Sequence, residues 1–376
     1  MRGISLFLIL ILLTAADLSA QRSKFGLHRI EAQFAGDAGP YLMDKSAETG
    51  VAWIIIRAHW VFIERNPPVG SVSPIPGRKS GTHAYDWSEI DAAVLAARSR
   101  GLNVALQLSK GPDWVTGAPA GCGGDLSESN DDCGLISNSK KDLFKLAWED
   151  LCYNATLRYS SQAPYFILWN EPNLRPNFNP EKPYDNIVNE YFRLIVFPGH
   201  NGVKAANPAA GVVGPEITTL DNYWGSWRNN AVDPLLRFFG EWFDVFTIHS
   251  YNQDAFTTVS KMREVGLELV EHGWFGKKPV WLTEFNFRSG TCDLTDGQIE
   301  SQLEFLYDSM DLSWWTRSFY FTLTDGGPCG FGLLRSHPIS VRMQRDQRFP
   351  IPNLEKPLFQ LFKNFVSANS RERRRP

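Results

Sequence analysis

Short apolar runs alternate along this chain with longer segments in which apolar side chains recur at every third or fourth position. The short runs are too short for helices and too apolar for loops, so they predict strands that are buried on both faces. They lie at residues 27–34, 51–58, 102–108, 165–169, 211–218, 243–251, 280–283 and 318–324. A series of buried strands of this kind is typical of a parallel sheet.

The longer segments between the runs predict helices. Asp86 is a candidate N-cap and Gly101 a candidate terminator, and Ile90, Val94 and Ala97 form an apolar stripe between them. Such segments predict helices at 87–100, 140–159, 186–206, 234–242, 258–271, from 296 onward and at 356–366. Buried strands that alternate with helices predict an α/β fold, and eight strands predict a closed (β/α)8 TIM barrel with its active site at the C-terminal strand ends.

The N-terminal segment has the layout of a secretory signal peptide. An apolar run at 4–13 follows a basic residue, and small and polar residues continue through Ala20. This run is too short to span a bilayer, so we expect cleavage after Ala20, with Ala16 as the alternative. No Gly/Ser linker divides the remainder, which predicts one barrel domain at 21–370 and a basic tail at 371–376. We expect a secreted protein without membrane insertion.

The composition narrows the range of partners. A formal net charge of −3 argues against a polyanion such as nucleic acid. Aromatic residues make up 13% of the chain and include 13 tryptophans, which favours a carbohydrate ligand because sugar rings stack their C–H faces on aromatic side chains. A tryptophan-rich core would give the same count. The oligomeric state stays open.

The five cysteines suit an oxidising compartment. Cys122 and Cys133 flank a polar loop, and Cys292 and Cys329 follow the last two predicted strands, so these two pairs are the disulfides we expect. Cys152 is left over in a predicted helix and is expected to be a buried free thiol. Other pairings are compatible with the sequence. The cysteines and histidines form no close pairs, so no metal site and no cofactor are expected.

One glycosylation sequon is present. Asn154 begins the sequence Asn-Ala-Thr. The motif has low specificity, but an exported protein can be glycosylated there if the asparagine is exposed.

Two glutamates follow predicted strands. Glu171 ends the strand at 165–169 beside Pro172, which has no N–H with which to continue a ladder, and Glu284 directly follows the strand at 280–283. A carboxyl group at the end of a buried strand is a plausible proton donor near neutral pH. Each glutamate alone could be a surface acid that caps the next helix. Together they match the carboxylic acid and the carboxylate that glycosidases require.

The motif Trp-Asn-Glu-Pro-Asn at 169–173 and the motif Leu-Thr-Glu-Phe at 282–285 resemble those of the clan A glycoside hydrolases. The first motif looks most like family 39, the β-xylosidase and iduronidase family, although family 5 and others share Asn-Glu-Pro. The resemblance covers residues 27–366 and implies that Glu171 is the general acid/base and Glu284 the nucleophile, with retention at the anomeric carbon. Chemistry agrees, because a nucleophile must be ionised and an acid protonated.

The same resemblance implies roles for residues at other strand ends. Asn170 is expected to contact the sugar 2-hydroxyl, and Arg57 to hold the nucleophile ionised. His249 and Tyr251 match groups that bind substrate and hydrogen-bond the nucleophile. The tryptophan usual after strand eight is not evident, and Phe321, Thr322 and Leu323 stand there instead. Arg57 could instead pair with a structural acid, and the histidine and tyrosine could be core residues.

Further candidates have two interpretations each. Glu216, in Gly-Pro-Glu after the fifth strand, is either a substrate contact or an acid that begins a helix. The tryptophans in predicted loops are candidate stacking platforms for sugar rings or loop packing, and they are Trp60, Trp114, Trp224 and Trp227.

These observations predict a secreted, metal-independent, retaining O-glycosidase that acts on a β-linked oligo- or polysaccharide or glycoside. The alternatives are a lectin-like barrel that binds carbohydrate without hydrolysis, and a transglycosylase that uses the same two glutamates. The sugar, the linkage and the choice between endo and exo action stay open.

Overall fold

The computed structural model describes residues 24–31, 38–70, 82–119, 131–183, 186–219, 224–251, 254–287, 294–311, 313–323, 332–334 and 355–371. Eight parallel strands in this part of the chain close into a barrel in which each strand pairs with its neighbours in sequence and the last pairs with the first. The strands are β1 (Phe25–Glu31), β2 (Trp53–His59), β3 (Asn103–Ser109), β4 (Tyr165–Leu168), β5 (Gly211–Thr218), β6 (Val245–Tyr251), β7 (Val280–Asn286) and β8 (Trp315–Phe321). The predicted (β/α)8 TIM barrel is confirmed.

Eight longer helices alternate with the strands. They are α1 (Ala38–Glu48), α2 (Ser88–Ser99), α3 (Lys141–Tyr159), α4 (Ile187–Tyr191, a π-helical turn Phe192–Val196 and Phe197–Ala206), α5 (Asp233–Phe239, after a π-helical turn Arg228–Val232), α6 (Ala255–Glu271), α7 (Asp296–Ser309) and α8 (Pro357–Arg371). Short helical turns lie at Trp60–Ile63, Asp113–Thr116, Asp131–Gly134 and Gly240–Trp242. None of the helices among the described residues combines the length and the apolar character needed to cross a membrane.

Two elements differ from the sequence prediction. Helix α1 was not predicted. It contains Gly39 and Pro40, and both lie in its first turn, where proline is tolerated. A two-stranded sheet of Leu135–Ile136 and Asn179–Pro180 was also missed, since strands of two residues carry no periodic pattern.

Local sequence explains where two of the later helices begin. The Asp254 side chain accepts a hydrogen bond from the backbone N–H of Thr257 at 2.6 Å and caps α6. Thr295 and Gln298 form a reciprocal capping box at the start of α7. Each bond satisfies an N–H that has no partner within its helix.

The core has two layers that follow from the alternation of side chains along the strands. Ile54 and Ile56 pack outward in the large layer between barrel and helices, whereas Ile55 points into the barrel. The inward-facing residues form a small separate cluster of Ile55, Ala105, Ile167, Val213, Val245, Trp281 and Phe319. This packed interior leaves the C-terminal strand ends as the place for a site.

Candidate active site

Strand alternation brings Arg57 and His249 to the C-terminal mouth of the barrel. Arg57 follows the inward-facing Ile55 by two positions in β2, and His249 follows the inward-facing Val245 by four positions in β6. Both polar side chains are buried. Each therefore needs a partner inside the barrel mouth.

Glu284 turns inward because β7 contains an irregularity. The pairing with β6 shifts between Leu282 and Glu284, so that Glu284 lies opposite His249 and Thr283 is the extra residue. In strict alternation Thr283, and not Glu284, would share the inward face with Trp281. The bulge therefore sets the Glu284 carboxylate beside His249.

Four side chains lie close to the two oxygens of Glu284, and one of them is His28, whose Nδ1 is 3.2 Å from Oε1. Arg57 Nη2 donates to Oε1 at 2.6 Å. The Tyr251 hydroxyl donates to Oε2, and His249 Nδ1 lies 3.6 Å from that oxygen. Glu284 itself is only 3% exposed, so these contacts act in a low-dielectric environment.

The charges around Glu284 favour its ionised form. Burial alone would raise the pKa of this carboxyl group, but the charges of His249 and Arg57 outweigh burial and hold the pKa well below its usual range. The hydrogen bond from Tyr251 acts in the same direction. Burial and the Glu284 charge raise the pKa of Tyr251, so its hydroxyl stays protonated and remains a donor.

His28 in β1 belongs to the site, and sequence reasoning missed it. Its Nδ1 lies 2.8 Å from the carbonyl oxygen of Thr283, and its Nε2 accepts from Arg57 Nε at 3.4 Å. Burial, opposed by Glu284 and aided by Arg57, lowers the pKa of His28 to about 4. A neutral imidazole with its proton on Nδ1 satisfies both bonds, so His28 holds the Arg57 guanidinium in position against Glu284.

Glu171 follows β4 in an unusual backbone conformation. Trp169 has φ of 75° and Glu171 has φ of 39°, both in the left-handed region. Proline favours an extended residue before it, but Glu171 does not take that conformation. Its backbone N–H donates to the carbonyl oxygen of Glu216 at 3.0 Å. Such strain persists only where surrounding structure holds it, and it is concentrated at functional sites.

His249 lies between two carboxylates. Its Nδ1 is 2.9 Å from Glu171 Oε1, and its Nε2 is 2.7 Å from Glu216 Oε2. Glu216 is fully buried and takes no place on the cleft surface, so the suggested contact with substrate is not what the structure shows. It also begins no helix, because it lies within β5.

A buried glutamine ties Asn170 to this group. Gln107 Nε2 donates to Asn170 Oδ1 at 3.0 Å and to Glu216 Oε2 at 2.9 Å. Gln107 was not selected from the sequence, although it follows the inward-facing Ala105 by two positions in β3. Asn170 is 7% exposed and stands directly before Glu171.

Phe321 covers one side of the group at the end of β8. Its ring meets the ring of Tyr251 edge-on at 5.5 Å and the ring of His28 edge-on at 6.2 Å. The Arg57 guanidinium carbon lies 5.8 Å from its centre. Phenylalanine therefore forms the aromatic wall at the position where the sequence lacks the usual tryptophan.

The structure corrects the expectation that Trp60 is a stacking platform. Trp60 is fully buried, its ring lies 5.7 Å from that of Phe144, and its Nε1 donates to Glu64. Trp224 and Trp227 are 5% and 9% exposed, so their rings serve packing as well.

Trp114 is half-buried, and its Nε1 donates to the Glu64 carbonyl oxygen at 3.3 Å. Its ring meets that of Trp60 edge-on at 6.0 Å. Of the four tryptophans, Trp114 is the one with an appreciable exposed surface.

The cysteines and the sequon are placed in part. Cys152 is a buried free thiol, as predicted. Cys133 is disulfide-bonded, but its predicted partner Cys122 lies outside the described residues, as do Cys292 and Cys329. The pairings therefore stay predictions.

Asn154 is half-buried within α3. Its amide donates to the carbonyl oxygen of Asp150 at 2.7 Å. The predicted glycosylation required exposure, so this placement argues against it.

Two groups of described side chains are close enough to suggest a metal ion. The group of His28, His249 and Glu284 brings its ligand atoms within 4.8 Å of one another, but hydrogen bonds already occupy the ring nitrogens. The second group is Asp233, Glu268 and His272. There the Arg228 guanidinium donates to Glu268 at 2.6 Å, and its positive charge opposes a cation. Neither group indicates a cofactor.

The arrangement combines a carboxylate held ionised, a second carboxyl group at the strained end of β4, and an imidazole whose Nδ1 faces both of them. A pair of carboxyl groups in different environments is the chemical requirement for displacement at an acetal carbon. The geometry therefore fits acid–nucleophile chemistry on a sugar.

Comparison with known proteins gives a consistent result. Residues 140–332 match the sequence model of a family described as glycosyl hydrolase catalytic core, and this span contains Glu171, Glu216, His249 and Glu284. No curated protein matches the sequence.

Solved structures share the fold. A family 39 glycoside hydrolase from the gut symbiont Bacteroides cellulosilyticus WH2 has a TM-score of 0.63 at 16% identity, over 94% of this chain and 65% of that one. A monomeric β-xylosidase from Caulobacter crescentus CB15 has a TM-score of 0.61 at 18% identity, over 91% of this chain and 67% of that one. An enzyme of family 39 from Xanthomonas axonopodis pv. citri has a TM-score of 0.62 at 19% identity, over 92% of this chain and 66% of that one. This chain thus spans about two thirds of the length of these proteins.

Proposed function

Because this chain belongs to the glycosyl hydrolase catalytic core family, we propose that it is a retaining O-glycoside hydrolase that cleaves a β-linked glycan or glycoside by double displacement. The observation that carries the proposal is the ionised Glu284, held by Arg57 and Tyr251, with Glu171 beside it at the same ring nitrogen of His249. These residues supply a nucleophile and a proton donor without a metal or a cofactor.

In the first step Glu284 attacks the anomeric carbon while Glu171 gives its proton to the leaving oxygen. The bond between the anomeric carbon and the leaving oxygen breaks, and an ester bond to Glu284 forms. The Tyr251 hydroxyl and the Arg57 guanidinium orient the attacking carboxylate. Asn170, fixed by Gln107, is available to the sugar 2-hydroxyl.

In the second step water replaces the enzyme at the anomeric carbon. The negative charge of Glu284 has disappeared in the ester, so Glu171 ionises more readily and accepts a proton from water. The hydroxide equivalent attacks from the face that the leaving group vacated, and the configuration is retained.

The spacing of the carboxylates supports retention over inversion. Glu171 Oε1 and Glu284 Oε2 lie 2.9 and 3.6 Å from the same nitrogen, His249 Nδ1. The two oxygens can be no farther apart than the sum of these two distances. That upper limit only reaches the lower end of the separation between the carboxyl groups of inverting enzymes, about 6.5–9.5 Å. An inverting enzyme needs that larger gap for a water molecule.

The substrate is a carbohydrate, and we propose a β-xyloside or a related β-glycoside. The fold is shared with a protein described as a β-xylosidase. We further propose that the protein is secreted after removal of residues 1–20, which N-terminal sequencing of the exported protein tests directly.

The decisive experiment is hydrolysis of aryl β-glycosides and of β-glucan, xylan and mannan oligosaccharides by the wild type, Glu171→Ala and Glu284→Ala, each with and without azide. We expect both variants to lose more than 100-fold in kcat/KM. Azide should convert Glu284→Ala to an α-azide product and Glu171→Ala to a β-azide product.

Other outcomes identify the alternatives. If neither variant loses more than about tenfold, about 1.4 kcal/mol of barrier, the two-glutamate mechanism is wrong. Binding of oligosaccharides without turnover would indicate a lectin-like protein. Transfer to an added acceptor sugar in preference to water would indicate a transglycosylase.

A further inference from the structure

A third carboxylate, that of Glu216, is buried behind the two that the proposed reaction uses. It is fully buried in β5, and its Oε2 is 2.7 Å from His249 Nε2 and accepts from Gln107 Nε2 at 2.9 Å. Its backbone N–H donates to Thr247 Oγ1 at 2.9 Å. A buried carboxylate lowers the stability of the fold unless a cation and hydrogen bonds compensate its charge, so the presence of Glu216 here needs a reason.

The hydrogen bonds of His249 indicate an imidazolium ion. Both ring nitrogens face carboxylate oxygens, Glu171 through Nδ1 and Glu216 through Nε2. A neutral imidazole has a single N–H, whereas an imidazolium donates from both nitrogens. His249 is completely buried, so water does not replace the carboxylate at either ring nitrogen.

The surrounding charges agree with this protonation state. Burial alone would lower the pKa of His249, but the charges of Glu284 and Glu216 raise it well above the usual value. The reciprocal effect lowers the pKa of Glu216 despite its burial. The charged and titratable groups that face the imidazole are Glu171, Glu216, Glu284, His28, Tyr251 and Arg57.

We propose that Glu216 is a positioning residue for the general acid, because it keeps His249 doubly protonated and oriented so that Nδ1–H stabilises the carboxylate that Glu171 becomes after giving up its proton. This inference rests on the proposed glycosidase function and extends it to a residue that does not touch substrate.

The proton balance of the first step is simple. The proton on Glu171 moves to the leaving oxygen as the glycosidic bond breaks and the bond to Glu284 forms. His249 keeps both of its protons and changes only from facing a neutral carboxyl group to facing a carboxylate. The imidazolium thereby strengthens the acid in the step in which charge develops on Glu171.

Leaving-group dependence tests this role. A substrate with a good leaving group, such as 2,4-dinitrophenoxide, needs little proton donation, whereas an alkoxide leaving group needs it fully. In Glu216→Gln we expect kcat/KM to fall less than threefold on a dinitrophenyl glycoside and at least 100-fold on an alkyl glycoside of the same sugar. The basic limb of the pH profile should also move to higher pH, since the acid holds its proton more tightly without the imidazolium.

Thr247→Val is the matched control. It removes the hydroxyl that accepts the hydrogen bond from the Glu216 backbone N–H but leaves the Glu216 charge in place, and valine is close to threonine in size. We expect any loss in this variant to be equal for all leaving groups, with an unshifted pH profile. A purely structural role for Glu216 would give the same uniform pattern in Glu216→Gln and would overturn the proposal.

A second measurement does not depend on turnover. Nitrogen-15 NMR of histidine-labelled wild type at pH 7 should show both His249 ring nitrogens protonated, with one proton lost in Glu216→Gln. A neutral His249 in the wild type would overturn the inference.

The two levels of proposal fail differently. If Glu171→Ala and Glu284→Ala are inactive but Glu216→Gln loses activity uniformly, the glycosidase stands and the role of Glu216 falls. If the wild type hydrolyses nothing, both fall.

Discussion

Arg57 and Glu284 stand 227 positions apart in the sequence and form a buried ion pair in which Nη2 donates to Oε1 at 2.6 Å. The two side chains are 6% and 3% exposed. The pair is completed by His28, which accepts from the other side of the guanidinium at 3.4 Å. His28, Arg57 and Glu284 therefore form one cluster that joins strands β1, β2 and β7. The ionised form of Glu284 depends on the other members of this cluster.

The first prediction concerns removal of the guanidinium. Arg57→Gln should lower kcat/KM by about 10²–10³-fold, since one charged hydrogen bond in a buried catalytic site has this magnitude. Because Arg57 lowers the pKa of Glu284, its loss should move the acidic limb of the pH profile to higher pH. The measurement is kcat/KM against pH on an aryl β-glycoside.

Arg158→Gln is the control for that prediction. Arg158 pairs with Asp91 at the surface, where both side chains are more than 40% exposed. Such a pair contributes about 1 kcal/mol or less to stability, and the acidic limb should not move. An unshifted limb in Arg57→Gln as well would mean that the ion pair does not set the charge of the nucleophile.

Specific features of the sequence predicted the main members of this group. Glu171 and Glu284 follow short apolar strands, and a parallel barrel gathers the C-terminal ends of its strands at one mouth. Arg57, His249 and Tyr251 came from the resemblance to clan A enzymes. A periodic pattern of buried strands therefore predicted the fold and which end of it carries chemistry.

The residues that sequence reasoning missed lack such signals. His28 and Gln107 lie inside apolar strands. Side chains alternate between the two faces of a strand, but the sequence does not show which of the two faces points into the barrel. The inward turn of Glu284 depends on a bulge, which alternation alone would not give. Trp60 was misjudged because the turn after β2 carries it into the core and not into the cleft.

A second prediction concerns acid stability and His28. Its pKa is lowered to about 4 by burial, so between pH 6.5 and 4 the unfolded chain binds a proton that the folded protein does not. The free energy of unfolding should fall over this range by up to about 3 kcal/mol from this group alone. His28→Gln should be less stable at pH 7 but should lose less stability on acidification, as measured by urea unfolding at pH 7, 5.5 and 4.5. Parallel decline of variant and wild type would contradict the assignment.

His83 should behave in the opposite direction. Burial would lower its pKa, but bonds to Asp150 and Glu64 raise the pKa to about 9. Its Nδ1 lies 2.6 Å from Glu64 Oε1, and its Nε2 lies 3.4 Å from Asp150 Oδ2. This stabilisation is fully present below pH 6.5 and is lost as the pH rises through 9.

The measurement is urea unfolding between pH 6.5 and 9.5. The wild type should lose stability as the pH rises, and His83→Gln should be destabilised by about 3 kcal/mol at pH 6.5 because two buried carboxylates lose their cation. The variant should then show a flatter alkaline profile. His28→Gln is the control, because it should keep the alkaline decline of the wild type. If the free energy of unfolding of His83→Gln still falls steeply at alkaline pH, the decline belongs to another titratable group.

The last prediction tests the packing of the helices that support β4. A Cβ added at Gly202 in α4 would lie 2.3 Å from the carbonyl oxygen of Glu149 in α3. Because that oxygen belongs to a helix backbone and cannot turn aside, Gly202→Ala should force the helices apart and destabilise the protein by about 1–3 kcal/mol. Gly297→Ala is the matched control, since no atom lies within 4 Å of its Cβ position in the first turn of α7. The control should be neutral or stabilising by up to about 1 kcal/mol, since alanine restricts the unfolded chain. Thermal unfolding distinguishes the two variants, and an equal midpoint for both would mean that α3 and α4 do not pack as closely as the structure places them.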